Sequence, residues 1–114
     1  MIEAWVRAWN ELDADVRREL LEATFAADGV YVDPDSRLDG RDAVLADIAG
    51  FHERRPGARI ELRSGVDAFG GWFRFGWAVV DTGGEVLRDG EDFGRFDGDG
   101  RIATIVGFFG ALPS

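Results

Sequence analysis

Asp89-Gly90-Glu91-Asp92-Phe93-Gly94-Arg95-Phe96-Asp97-Gly98-Asp99-Gly100-Arg101-Ile102 reads as the end of a long strand followed by a tight turn. Residues 86–97 alternate in polarity, and Asp97-Gly98-Asp99-Gly100 supplies the Asp-Gly pairs that tolerate positive φ. Successive strand side chains point to opposite faces, which puts Val86, Gly90, Asp92, Gly94 and Phe96 on one face. Leu87, Asp89, Glu91, Phe93, Arg95 and Asp97 fall on the other, which holds most of the charge and is expected to be the wetter. Asp92 is therefore a carboxylate on the more apolar face, with a glycine two positions away on each side. Glycine gives up side-chain bulk, so something else is expected to occupy that space. Two readings stay open. Either the strand runs near an edge or mouth and Asp92 is solvated, or Asp92 lines a pocket where desolvation raises its pKa and lets it donate a hydrogen bond.

The alternation extends back to Gly57 and forward to the end of the chain. Ile60 and Leu62 alternate with Arg59, Glu61 and Arg63, and the pairs Gly70-Gly71 and Gly83-Gly84 mark hairpin turns. Between the two pairs, Phe73, Phe75, Trp77 and Val79 share one strand face, and Trp72, Arg74, Gly76, Ala78 and Val80 share the other. Ile102–Phe109 is apolar on both faces, the pattern of a strand that is central or meets another subunit.

Before Gly57 the period is helical. Ile2, Trp5, Val6, Trp9 and Leu12 recur at three- and four-residue steps, which predicts an amphipathic helix over 2–12. Asp13 suits the cap of a second helix, whose apolar side is Val16, Leu20, Leu21, Thr24, Phe25 and Ala27 and whose stop is Gly29. Val30-Tyr31-Val32 is a brief strand ended by Asp33-Pro34, because proline cannot donate to a ladder. Asp35–Gly40 is turn-rich, and a third helix runs over 41–54 with Val44, Leu45, Ile48 and Phe51 as its stripe. Three N-terminal helices followed by an antiparallel meander define an α+β fold in which the helices cover one face of the sheet.

Composition bounds the rest. At 114 residues the chain is expected to form a single domain, 1–114, with one core. Thirteen basic against twenty-two acidic residues leave a net charge of −9, which argues against nucleic acid or an anionic membrane as partner. With no cysteine there is no thiol nucleophile, disulfide or thiolate metal site. One histidine makes zinc improbable, and the acidic runs Asp33–Asp42 and Asp97–Gly100 lack the spacing of a calcium loop, so neither metal nor cofactor is expected. Met1-Ile2-Glu3-Ala4-Trp5 does not resemble a signal peptide and no apolar run suits a membrane span, so a cytoplasmic protein is expected.

Taken together, Ala27-Asp28-Gly29-Val30-Tyr31-Val32-Asp33-Pro34, Leu38-Asp39-Gly40-Arg41-Asp42-Ala43 and Arg95–Ile102 resemble the nuclear transport factor 2-like superfamily, in its SnoaL-like and ketosteroid-isomerase-like branch. The resemblance covers nearly the whole chain. It implies a curved, mostly antiparallel sheet wrapped around helices as a cone with an apolar pocket at its mouth. It also implies that Asp33, before Pro34, matches the carboxylate base of ketosteroid isomerases, and that Asp92 matches a second, protonated Asp. The family's oxyanion-hole tyrosine falls on Trp9, whose indole N–H is a weaker acid, so proton transfer rather than steroid isomerisation is the expectation. The superfamily hosts many activities, so the resemblance speaks to fold more than to function.

The residues keep their plainer readings beside this one. Asp33 suits a turn as well as a cavity, His52 suits solvent as well as an acid–base role at the mouth, and Trp5, Trp9 and Tyr31 suit packing. The substrate-facing set is Trp9, Tyr31, Ile48, Phe73, Phe75, Trp77 and Val79, with Ile105 and Phe109 on the last strand; Gly107 lies between these two. The expected ligand is a small apolar or aromatic molecule. A cofactor-free isomerase or cyclase and a ligand-binding or dimerisation module without chemistry both fit. Trp72, Val80, Phe93 and Phe108 suggest a homodimer through the outer sheet face.

Overall fold

A computed structural model describes residues 1–114. Helix α1 (Ile2–Asn10) and helix α2 (Ala14–Thr24) form a hairpin that leads into strands β1 (Phe25–Asp33) and β2 (Ser36–Asp39). Helix α3 (Arg41–Arg54) follows, then β3 (Arg59–Leu62), β4 (Asp67–Phe69), β5 (Trp72–Val80), β6 (Val86–Phe96) and β7 (Ile102–Phe109). The seven strands make one sheet in the order β2-β1-β7-β6-β5-β3, with β4 paired to β5. All pairings are antiparallel except β1 with β7. The last strand is thus central, as its two apolar faces require. The predicted α+β class holds: three helices pack against a mostly antiparallel sheet.

The helices bury their stripes on one face of this sheet. Ile2, Trp5, Ala8 and Trp9 of α1 and Val44, Ile48 and Phe51 of α3 are buried with Phe25, Phe73, Phe75, Ile102 and Ile105. Trp5 stacks on Phe25 with centroids 5.5 Å apart. The Asp13 carboxylate accepts from the N–H groups of Asp15 and Val16, so α2 is capped as its sequence suggests.

Four local expectations are corrected. Helix α1 stops at Asn10, not residue 12, and Leu12 is exposed. The Asn10 amide bridges to the backbone of Ile60, and the buried Arg17 guanidinium takes the carbonyls of Glu11 and Leu12. Helix α2 stops at Thr24, so Phe25 and Ala27 belong to β1, which is longer than the predicted 30–32. Two long-range donors fix that boundary: Arg41 reaches the carbonyls of Phe25 and Glu22, and Arg101 reaches that of Glu22. The acidic segment after Pro34 is strand β2, which Asp33-Pro34-Asp35-Ser36 folds back onto β1. Finally, Val80 is buried rather than exposed on the outer face, as is Ala78 two residues before it on the same side of β5. Trp72, Phe93 and Phe108 do lie exposed on that face, the first two stacked 5.6 Å apart.

Candidate active site

The register of the sheet places the two carboxylates. Asp92 on β6 stands between Phe75 on β5 and Gly107 on β7. On the far side of β7, Val32 pairs with Val106, so Asp33 comes one step further along, beside Gly107. Phe75, Asp92, Gly107 and Asp33 therefore form one row across four strands. Gly107 is the centre of that row. A Cβ there would lie 2.9 Å from Asp92 Oδ1, 3.6 Å from the Tyr31 hydroxyl oxygen and 3.7 Å from Asp33 Cβ. Any side chain at 107 would occupy the place where these three groups meet.

Above this row lies a cavity of about 320 Å³. Asp33 and Asp92 both line it, with Trp5, Trp9, Tyr31, Phe51, Phe75, Trp77, Val79 and Phe109 among its walls. The predicted residues Trp9, Tyr31, Phe75, Trp77, Val79 and Phe109 are thus brought together. Ile48, Phe73 and Ile105 are not among the lining residues. They lie deeper, at 0, 2 and 0% exposure, and belong to the packed core. The space left by Gly90 and Gly94 holds no ligand room either. The rings of Trp77 and Phe73, their partners in the β5–β6 register, pass over them at 2.7 and 2.5 Å from the position a Cβ would take.

Asp92 is 6% exposed and accepts a 2.8 Å hydrogen bond from Trp77 Nε1 on Oδ1. Burial pushes its pKa up to about 7; the indole N–H opposes this and the negative charge of Asp33 adds to it. Near neutral pH a large fraction of Asp92 is the neutral acid, with Oδ2 as the oxygen not engaged by Trp77. Asp33 satisfies both earlier readings. Its Oδ1 accepts from the Asp35 N–H at 2.8 Å, the turn that precedes β2, while Oδ2 accepts from the Tyr31 hydroxyl at 2.8 Å inside the cavity. Burial, and then the hydrogen bond to Asp33, raise the Tyr31 hydroxyl far above a phenol's usual range, so Tyr31 stays a donor.

His52 is placed elsewhere. Its Nε2 lies 2.7 Å from the Trp9 carbonyl oxygen and donates to it, and its ring sits edge-on to Phe51 at 5.0 Å. Nδ1 is buried without a partner. Four residues after Ile48 on α3, His52 faces α1 rather than the mouth, and it ties the two helices together. Trp9 and Trp5 line the cavity with no protein acceptor for their indole N–H groups, and neither nitrogen is sealed from the open space.

Asp47, Arg54, Arg55 and Arg88 also line the cavity, and sequence pattern alone does not single them out. Asp47, Phe51 and Arg54 follow one another at helical steps of four and three, and Arg88 shares the alternating face of Gly90 and Asp92. Those spacings are the signal that was available. Burial raises the Asp47 carboxyl, against the nearby Arg54 charge. No group of three or more His, Cys, Asp or Glu side chains is arranged to hold a metal ion.

The SnoaL-like domain family matches residues 2–105 of the chain. This chain belongs to the SnoaL-like family. A provisionally assigned isomerase of that family from Agrobacterium tumefaciens is 31% identical, superposes with a TM-score of 0.90, and aligns over 96% of this chain and 94% of its own. A provisionally assigned polyketide cyclase from Sinorhizobium meliloti shares the fold at 21% identity and a TM-score of 0.73, over 93% of this chain and 91% of its own. So does a protein of ketosteroid isomerase-like fold from Catenulispora acidiphila in complex with trimethylamine, at 18% identity and 0.73, over 93 and 82%. No curated protein matches at a significant level. In this SnoaL-like chain no helix is long and apolar enough to cross a membrane.

Proposed function

We propose that this SnoaL-like protein is a cofactor-free isomerase or cyclase that moves a proton on a small apolar ketone or polyketide-like molecule. The row of Asp92, Gly107 and Asp33 beneath an aromatic-walled cavity carries the reading. Asp33, oriented by Tyr31 and by the Asp35 N–H, takes a proton from the carbon next to the ketone carbonyl. The electron pair moves onto the carbonyl oxygen as an enolate. Asp92 in its neutral form donates a hydrogen bond to that oxygen, and the dry surroundings strengthen it. Where a C=C bond is conjugated with the enolate, return of the proton from Asp33 to its far carbon gives isomerisation; attack of the enolate carbon on a second carbonyl, whose oxygen then takes the proton from Asp33, gives cyclisation. The names of the Agrobacterium tumefaciens and Sinorhizobium meliloti relatives support these two outcomes.

A binding role without chemistry is the second reading, favoured by Asp33 already accepting two hydrogen bonds. Deuterium wash-in at the acidic carbon of 2-tetralone, an apolar bicyclic ketone, separates the two. The catalytic reading expects exchange faster than in buffer, with Asp33→Asn losing about 10²–10⁴-fold of the enhancement. Equal exchange by Asp33→Asn and wild type removes Asp33 as base and leaves the binding role.

A further inference from the structure

Nine of the thirteen arginines bond to a carboxylate or a backbone carbonyl, and four, Arg7, Arg54, Arg55 and Arg95, have no such partner. Two of these four, Arg54 and Arg55, line the cavity that holds Asp33 and Asp92, and Arg88 lines it as well. In a chain of net charge −9, three guanidinium groups lining one cavity are a local concentration of positive charge, set against four carboxylates in the same lining, Asp33, Asp35, Asp47 and Asp92.

The β5–β6 register gives their depth. From the floor outward it pairs Phe75 with Asp92, Trp77 with Gly90 and Val79 with Arg88. Arg88 is four residues from Asp92 on the same strand face, about 13 Å at the rise of an antiparallel strand. Its guanidinium sits 4.2 Å from the centre of the Phe109 ring, which fixes it over the opening, and 3.6 Å from the exposed carboxylate of Asp35. From the opposite wall, Arg54 folds back along α3 over Gly50, where a Cβ would lie 2.8 Å from its Nη1. The pocket is therefore acidic at its floor and aromatic along its length, and at its lip Arg88 is shared with Asp35 and Arg54 lies near Asp47, while neither Arg54 nor Arg55 is bonded to a carboxylate.

We propose that the ligand of this pocket is an elongated apolar carbonyl compound that ends in a carboxylate, held at the lip by Arg54, Arg55 and Arg88 with its carbonyl at Asp92. This rests on the proton-transfer reading for the placement of the carbonyl and on the arginines alone for the anion. Arg54 and Arg55 have free donors to give, and a guanidinium matches a carboxylate with two parallel N–H groups. The Trp77, Val79 and Phe109 side chains between the two ends suit a flat or chain-like apolar body.

A matched pair of fluorescent probes tests it: 6-(p-toluidino)naphthalene-2-sulfonate, elongated with an anion at one end, and the same framework without the sulfonate, N-(p-tolyl)-2-naphthylamine. Wild type is expected to bind the sulfonate about tenfold more tightly than the neutral probe in low salt, since exposed ion pairs contribute a few-fold each. The preference is expected to vanish in Arg54→Gln/Arg55→Gln/Arg88→Gln and to shrink in high salt. It should survive in Asp33→Asn, which separates it from the chemistry. Equal affinity for the two probes in wild type, or a preference unchanged in the triple variant, overturns the anion inference and leaves the apolar pocket standing. Binding of neither probe overturns both.

Discussion

Phe73 and Asp92 both stand opposite a glycine on the neighbouring strand, and the two places come out differently. Phe73 lies across Gly94, its ring 2.5 Å from where a Cβ would be, and packs against Phe96 at 4.6 Å. Asp92 leans over Gly107 in the same way, with Oδ1 at 2.9 Å. A ring that fills such a gap seals it, since apolar neighbours close on it from all sides. A carboxylate that fills it cannot be closed over without leaving its second oxygen unpaired, so the walls stand off and a cavity persists. The same backbone device thus makes core at one level of the sheet and a site two residues further along.

The strongest way to break this contrast is at the sealed level. Phe73→Ala should cost about 3–5 kcal/mol in urea unfolding, because a fully buried ring is removed and its surroundings relax only in part. A loss under about 1 kcal/mol would mean that the sealed end is not packed as described.

Asp92→Asn sharpens the contrast through pH. An unfolded aspartate titrates near about 3.9, whereas Asp92 in the fold titrates at about 7. Between those values the folded chain keeps a proton that the unfolded chain releases, so the stability tied to this group is full below the lower value and falls as pH rises to the upper. A neutral amide at this position carries no such penalty. The variant is expected to be more stable than wild type by about 2–3 kcal/mol at pH 8, with the gap closing toward pH 4. A gap independent of pH would refute the burial of an ionising carboxyl.

The smallest effect is expected at Gly107. Gly107→Ala puts a methyl within 2.9 Å of Asp92 Oδ1, so the carboxyl must move. A loss of about 1–2 kcal/mol together with weaker binding of the neutral naphthylamine probe is expected. Unchanged binding would show that the convergence over Gly107 does not shape the pocket.

Much of this was legible in the chain. Helix α3, the Gly70-Gly71 hairpin and the long alternating strands were written in period and turn chemistry, and Asp92 stood out as a carboxylate on the more apolar of two strand faces. The end of α2 was not, since Phe25 and Ala27 fit a helical stripe and a strand equally well. Arg41 and Arg101, distant in sequence, decide between them. Alternation gives the inward face of β5 and β7 but not the depth at which that face stops being core. Ile105 and Phe109 share a face, yet only Phe109 reaches the cavity. His52 likewise shares the inner side of α3 but meets the Trp9 carbonyl before it meets any open space.

Strand β7 occupies the middle of the sheet, joined to β6 on one side and to β1 on the other. It also follows the other six strands in the order of synthesis. Until it arrives, β1 and β6 are bare edges, each a template for unwanted pairing. Asp33 and Asp92 then sit on separate halves with no Gly107 between them, so a chain cut before β7 has neither a finished sheet nor a site.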